Sequence, residues 1–149
     1  MAKVNADLIW FNGKLMPWKD ATVHVMSHAL HYGSSVFEGI RAYNTHKDTC
    51  IFRLEEHIKR LFDSAKIYRM NIPYTPEEVI QACKEAVTEN NLKSAYLRPL
   101  AFLGDIGMGL RPPIDAQADL MIAAFSWEAY LGADAIENGV KLAYLVGTD

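Results

Sequence analysis

The chain has 149 residues, half of them hydrophobic and 22% charged, with a net charge of −3. That is the make-up of one ordinary globular domain with a real core, and the lack of any long basic run gives a nucleic-acid partner no electrostatic footing. The longest uninterrupted apolar run, LMIAAF at 120–125, is far too short for a membrane helix, MAKVNADLIW has no leader-like apolar core, and two cysteines, Cys50 and Cys83, make no disulfide framework; a soluble protein of a reducing cytoplasm is expected.

LIWFNGKLMPW sets Asn12-Gly13 between two apolar runs, and because both residue types tolerate positive φ this predicts a two-residue hairpin. VFEGIRAY and CIFRL flank the polar NTHKD and predict a second hairpin over 36–54. Leu54, Ile58, Leu61, Phe62, Ala65 and Tyr68 recur at steps of three or four, so 54–70 reads as a helix with one apolar face. Thr75-Pro76-Glu77-Glu78 opens a second helix: threonine caps, proline suits the first helical position, and the glutamates suit the positive end of the dipole. It should end near Asn90-Asn91. SAYLRPLAFL and ADLMIAAFSW read as strands joined by GDIGMGLRPPIDAQ, and the final EAYLGADAIENGVKLAYLVGTD is ambiguous. Strands, two helices, then strands make an α+β fold.

Chemistry-bearing residues crowd SHALHYGSSVFEGIR, 27–41. A helix would align His24, His28 and His31 for a metal, but no carboxylate or cysteine completes the set and Gly33-Ser34-Ser35 argues against a long helix. These histidines are expected to hydrogen-bond backbone in a loop, with no metal. Ser34 and Ser35 lack the elbow of a serine hydrolase. The glycines of GDIGMGLRPP let backbone approach a ligand or simply make irregular turns; their spacing fits neither phosphate-loop fingerprint. Arg98 sits among apolar neighbours, where arginine needs a partner. Either it forms an ion pair with Glu38 or Asp105, or its guanidinium points into a pocket and takes a carboxylate through two parallel bonds. Arg60, three residues after His57, lies at the edge of the first helix's apolar face; an anion site there needs an anion held between helix and sheet.

ADLIWFNGKLMPWKDATVHVMSHALHYGSSVFEGIRAY, FRLEEHIKRLFDSAKIYRM, NNLKSAYLRPLAFLGDIGMG and AAFSWEAYLGA, in this order, closely resemble the N-terminal part of bacterial branched-chain amino acid aminotransferases, the class IV, fold-type IV pyridoxal-phosphate enzymes. The resemblance implies a small N-terminal domain over 1–133, a mostly antiparallel twisted sheet packed with helices, with 134–149 starting the interdomain linker. It implies exchange of the amino group of leucine, isoleucine or valine with 2-oxoglutarate on pyridoxal 5′-phosphate, in a cytoplasmic homo-oligomer. By the same resemblance Arg60 holds the cofactor phosphate, Arg98 takes the side-chain carboxylate of glutamate, and Tyr96 helps hold the α-carboxylate. Phe37, Gly39 and Tyr130 wall the side-chain pocket, Trp127 lines it, and Tyr32 with Met108, Gly109 and Leu110 reaches the pocket of the neighbouring subunit. The Schiff-base lysine and the glutamate that partners the pyridine nitrogen lie beyond this chain, none of whose lysines falls in the matching motif. The pattern departs after about residue 143, so the chain alone is expected not to turn over. The alternatives are a D-amino acid aminotransferase or aminodeoxychorismate lyase relative, and a noncatalytic oligomerisation module working through Tyr32 and the 104–113 loop.

Overall fold

A computed structural model describes residues 6–126, 137–141 and 143. The first hairpin pairs β1 (Leu8–Phe11) with β2 (Lys14–Pro17) through Asn12 at φ 45° and Gly13 at φ 92°, the two positive values that match a two-residue turn to strand twist. A short helix, α1 (His28–Tyr32), stops where Gly33 takes φ 67°. Then come β3 (Ser35–Phe37), β4 (Ile40–Asn44), β5 (Thr49–Ile51), α2 (Leu54–Ile67), α3 (Pro76–Glu89), β6 (Ala95–Phe102) and β7 (Asp119–Phe125). The strands form one antiparallel sheet in the order β2-β1-β7-β6-β4-β5, with β3 also on β6. The α+β class read from the sequence is the one that forms.

β3 and β4 share one register along the same edge of β6: Phe37 faces Leu100 and Ile40 faces Leu97. The break between them, Glu38-Gly39, falls opposite Arg98-Pro99. The Glu38 N–H still donates to the Pro99 carbonyl at 3.0 Å, but proline has no N–H to return. One strand is thus cut in two by its partner's proline. This corrects the expected hairpin over 36–54: only β4 and β5 make it, pairing Ala42 with Ile51 and Asn44 with Thr49, while β3 belongs to β6.

α2 buries Leu54, Ile58, Leu61 and Ala65, as the spacing predicts. It ends at Ile67 rather than residue 70, because the chain turns through Arg69 at φ 54°. Tyr68, assigned by spacing to the apolar face, therefore lies past the helix and is exposed. α3 begins with a reciprocal cap: Thr75 Oγ1 accepts from the Glu78 N–H at 3.2 Å, and Glu78 Oε2 accepts from the Thr75 N–H at 2.7 Å. Both helices cover one face of the sheet, burying Trp10, Val36, Ile40, Leu97, Leu120 and Ile122 in the main core. The strand period of two sends the alternate residues of β6, Tyr96, Arg98 and Leu100, to the other face, where burial is only partial.

Candidate functional site

That open face gathers four of the predicted residues. The Arg98 guanidinium lies 4.3 Å from the centre of the Phe37 ring and 5.3 Å from that of Tyr96, and its Nη2 donates to Tyr96 Oη at 2.8 Å. Its Nε is buried and meets no acceptor among the described residues. The ion-pair alternative is corrected: Glu38 points to the opposite face, and Asp105 stands 3.8 Å from His24 instead. A buried donor without a partner costs about 1–3 kcal/mol, and a carboxylate arriving beside Phe37 would relieve that cost.

The register sets Gly39 cross-strand from this arginine, and the Tyr96 ring lies over it; a Cβ there would collide with Tyr96 Oη. Its φ is not in the left-handed region, so backbone strain plays no part. Gly39→Ala is expected to push Tyr96 aside and break its bond to Arg98, lowering stability by about 1.5–3 kcal/mol, the scale of one hydrogen bond to a charged group. Urea denaturation measures this, and a wild-type midpoint would show that Tyr96 is not held there.

A second group forms around α1. Tyr32 Oη donates to the Met108 carbonyl at 3.0 Å, and His28 Nε2 lies 3.0 Å from the Gly109 carbonyl. Leu110 beyond them is 82% exposed. All three histidines hydrogen-bond to backbone, as the sequence suggests: His24 Nδ1 accepts from the Met26 N–H, and His31 Nε2 meets the Val25 carbonyl. Two of them, however, sit on a short helix rather than in a loop. No hydrogen bond, ion pair or ring contact joins this group to Arg98 among the described residues.

Arg60 stands apart, on the helix-covered face. Its Nε and Nη2 donate to Glu38 Oε1 and Oε2 at 2.6 and 2.7 Å, and His57 Nδ1 lies 2.8 Å from Oε2. The Glu38 side chain is 4% exposed and that of Arg60 66%. The anion expected between helix and sheet is thus the chain's own carboxylate. It occupies one edge of the guanidinium and leaves Nη1 outside that pair. Sequence reasoning offered Glu38 to Arg98 rather than to Arg60, and gave His57 no role. The signal was there: Glu38 shares its strand face with Val36 and Ile40, both buried.

Burial pushes the Glu38 carboxyl up, but hydrogen bonds from Arg60 and His57, with their charges, outweigh it and hold the group below the usual glutamate range. The folded state therefore takes up this proton less readily than the unfolded chain. The stabilisation is complete above the unfolded value of about 4.3 and is lost as pH falls through the folded one. Urea midpoints are expected to decline on acidification below that value, and Glu38→Gln to lack this part of the decline. An unchanged acid limb in Glu38→Gln would assign it to other carboxylates.

Trp127 and Tyr130 lie outside the described residues. The remaining geometry defines a one-sided scaffold: a helix-backed sheet that offers an arginine between aromatic rings on its free face and a second, carboxylate-held arginine on the other. The chain belongs to the class IV amino-transferase family, whose model matches residues 35–145. It is 56% identical over 140 residues to the branched-chain-amino-acid aminotransferase of Escherichia coli, an alignment covering 94% of this chain and 45% of that protein. Its fold is similar to the crystal structure of an Escherichia coli branched-chain amino acid aminotransferase, with TM-score 0.86 and 58% identity over 88% of this chain and 43% of that one. It is similar too to the T.th. enzyme complexed with N-(5′-phosphopyridoxyl)-L-glutamate, with TM-score 0.82 and 52% identity over 86% and 42% of the two chains. The chain spans less than half the length of the curated relatives it matches.

Proposed function

We propose that this chain is the small-domain part of a branched-chain amino acid aminotransferase, a cytoplasmic homo-oligomer that exchanges the amino group of leucine, isoleucine or valine with 2-oxoglutarate on pyridoxal 5′-phosphate. The observation that carries this is the Arg98 side chain, packed against Phe37 with a buried Nε that has no acceptor among the described residues. Its pocket must take aliphatic side chains and a γ-carboxylate in turn. Phe37 and Gly39, with Tyr130, serve the first; burial there is worth about 0.8 kcal/mol per CH₂. Arg98 serves the second, and the Tyr96 hydroxyl turns toward the α-carboxylate. A partner copy brings Tyr32 and the segment Met108, Gly109 and Leu110 to the same pocket, which Trp127 also lines. The T.th. relative was solved with a phosphopyridoxyl glutamate, a ligand that joins the proposed cofactor to the acidic substrate.

The residues fit the cofactor's phosphate on one count. Glu38 holds a single edge of the Arg60 guanidinium, so Nη1 remains outside that pair and can donate to a phosphate oxygen. When bound, pyridoxal phosphate supplies the electron sink for loss of the substrate's α-proton. The residues of this chain bind the carboxylates, orient the side chain and anchor the phosphate. We place the lysine that carries the cofactor in the part of the relatives that this chain does not span.

The purified chain is expected to keep no cofactor colour after dialysis and to show no leucine:2-oxoglutarate exchange. Joined to the remainder of the Escherichia coli relative, it should exchange L-leucine and not D-alanine. A folded fusion that prefers D-alanine, or that exchanges neither, would sink the proposal.

A further inference from the structure

His28 is 3% exposed, and both of its ring nitrogens are engaged. Gly109 offers only a carbonyl, so Nε2 must carry a proton and donate to it at 3.0 Å, while Nδ1 meets the Ser34 hydroxyl at 2.7 Å. One helical turn on, Tyr32 donates to the preceding carbonyl, Met108, and the two rings stand 4.5 Å apart. Their i, i+4 spacing puts both side chains on one side of α1. The start of α1 is itself fixed to the end of β6: the N–H groups of His28 and Ala29 donate to the Gly104 and Leu103 carbonyls at 2.8 and 2.9 Å.

The chain thus leaves β6 at Leu103 beside the start of α1, turns through Gly107 at φ 94°, and comes back against the same helix at Met108 and Gly109. Early in this excursion Ile106 packs on the main core and Asp105 stands beside His24; past them little else holds it. Among the described residues, the backbone bonds within 104–116 are Ile106 N–H to the Gly104 carbonyl and Ala116 N–H to the Pro113 carbonyl. The place of Leu110 therefore depends on the two side chains that grip the carbonyls just before it.

We propose that His28 is a positioning residue of the substrate pocket: with Tyr32 it clasps the backbone carbonyls of Met108 and Gly109 and so sets where Leu110 projects. This rests on the reading that Tyr32 and the 108–110 segment face substrate in a partner copy. His28 itself, buried behind them, touches no substrate. Discrimination among aliphatic side chains then depends on a hydrogen bond one layer away from the ligand.

The test is ¹⁵N relaxation at the Met108, Gly109 and Leu110 amides of the 149-residue chain, in wild type, His28→Gln and His28→Phe. Glutamine keeps an N–H donor at similar reach; phenylalanine keeps a ring against Tyr32 and loses the donor. Order parameters of about 0.85 are expected in wild type and His28→Gln and below about 0.6 in His28→Phe, with β6 and β7 unchanged. A rigid segment in His28→Phe, equal mobility in both variants, or a mobile segment in wild type would overturn the clasp. If His28→Phe does not fold, the wild-type ring spectrum decides: a proton on Nε2 supports the proposal, and its absence overturns it. These outcomes do not depend on substrate. Failure of the pocket reading would show instead as an Arg98 variant with unaltered substrate preference, which overturns the pocket clause and leaves a loop anchor.

Discussion

Arg98→Ala, in the fusion that carries the second domain, is expected to lower kcat/KM for glutamate and 2-oxoglutarate by about 10–150-fold, the equivalent of the about 1.5–3 kcal/mol of a hydrogen bond to a charged group. Leucine, isoleucine and valine should stay within about threefold, since they use the arginine only as a flat surface beside Phe37. The selectivity follows from the geometry. Phe37 and Tyr96 both flank the guanidinium, and Nε is a buried donor with no acceptor among the described residues. Arg98→Lys should fall between the two: a lysine keeps the charge but loses the fork and the stacking. Steady-state kinetics with both substrate classes measures this. Equal losses for every substrate would remove Arg98 from the pocket.

Leu97→Ala, one residue earlier, is expected to act on stability instead. Leu97 is fully buried on the helix-covered face, paired across the sheet with Ile40, in the core that holds Ile58 and Leu61. Truncating such a leucine costs about 2–5 kcal/mol. That is a large share of the about 5–15 kcal/mol that separates folded from unfolded domains. With about 2–4 °C per kcal/mol at this size, Tm should drop by about 4–20 °C. The urea midpoint should fall at unchanged slope. Arg98→Ala, by contrast, opens no core cavity: it loses the bond to Tyr96 but also removes a buried Nε with no acceptor among the described residues, so its cost to stability should be the smaller. A Leu97→Ala loss below about 1 kcal/mol would mean that the site relaxes to fill its cavity.

The contrast between these neighbours shows where a sequence is legible. Asn12-Gly13 and Thr75-Pro76 predicted a turn and a helix start that form as expected, because each is decided within a few residues by φ preference or a reciprocal cap. Tyr96 and Arg98, two apart on one strand, had to share a face. Tyr68 was misplaced because apolar spacing continued past the point where Arg69 turns the backbone. Phe37 and Gly39 entered through the resemblance to a family, and their approach to Arg98 is made by the pairing of β3 with β6.

Pro99 lies some sixty positions from Glu38 in the chain, so the gap it makes between β3 and β4 has no local mark. Glu38 was readable by parity as facing inward, yet it could be assigned to Arg60 and His57, and taken from Arg98, only once α2 was seen to cover that face. By itself the sequence determined the first hairpin, the starts of the two long helices, the strand parities and the family, all of which follow from residues near one another or from a shared pattern. Tertiary structure alone decided the strand order, the partner of each arginine and the clasp on the Met108–Gly109 backbone. These depend on which surfaces meet, and that is settled by burial summed over the whole core rather than by any short stretch of chain.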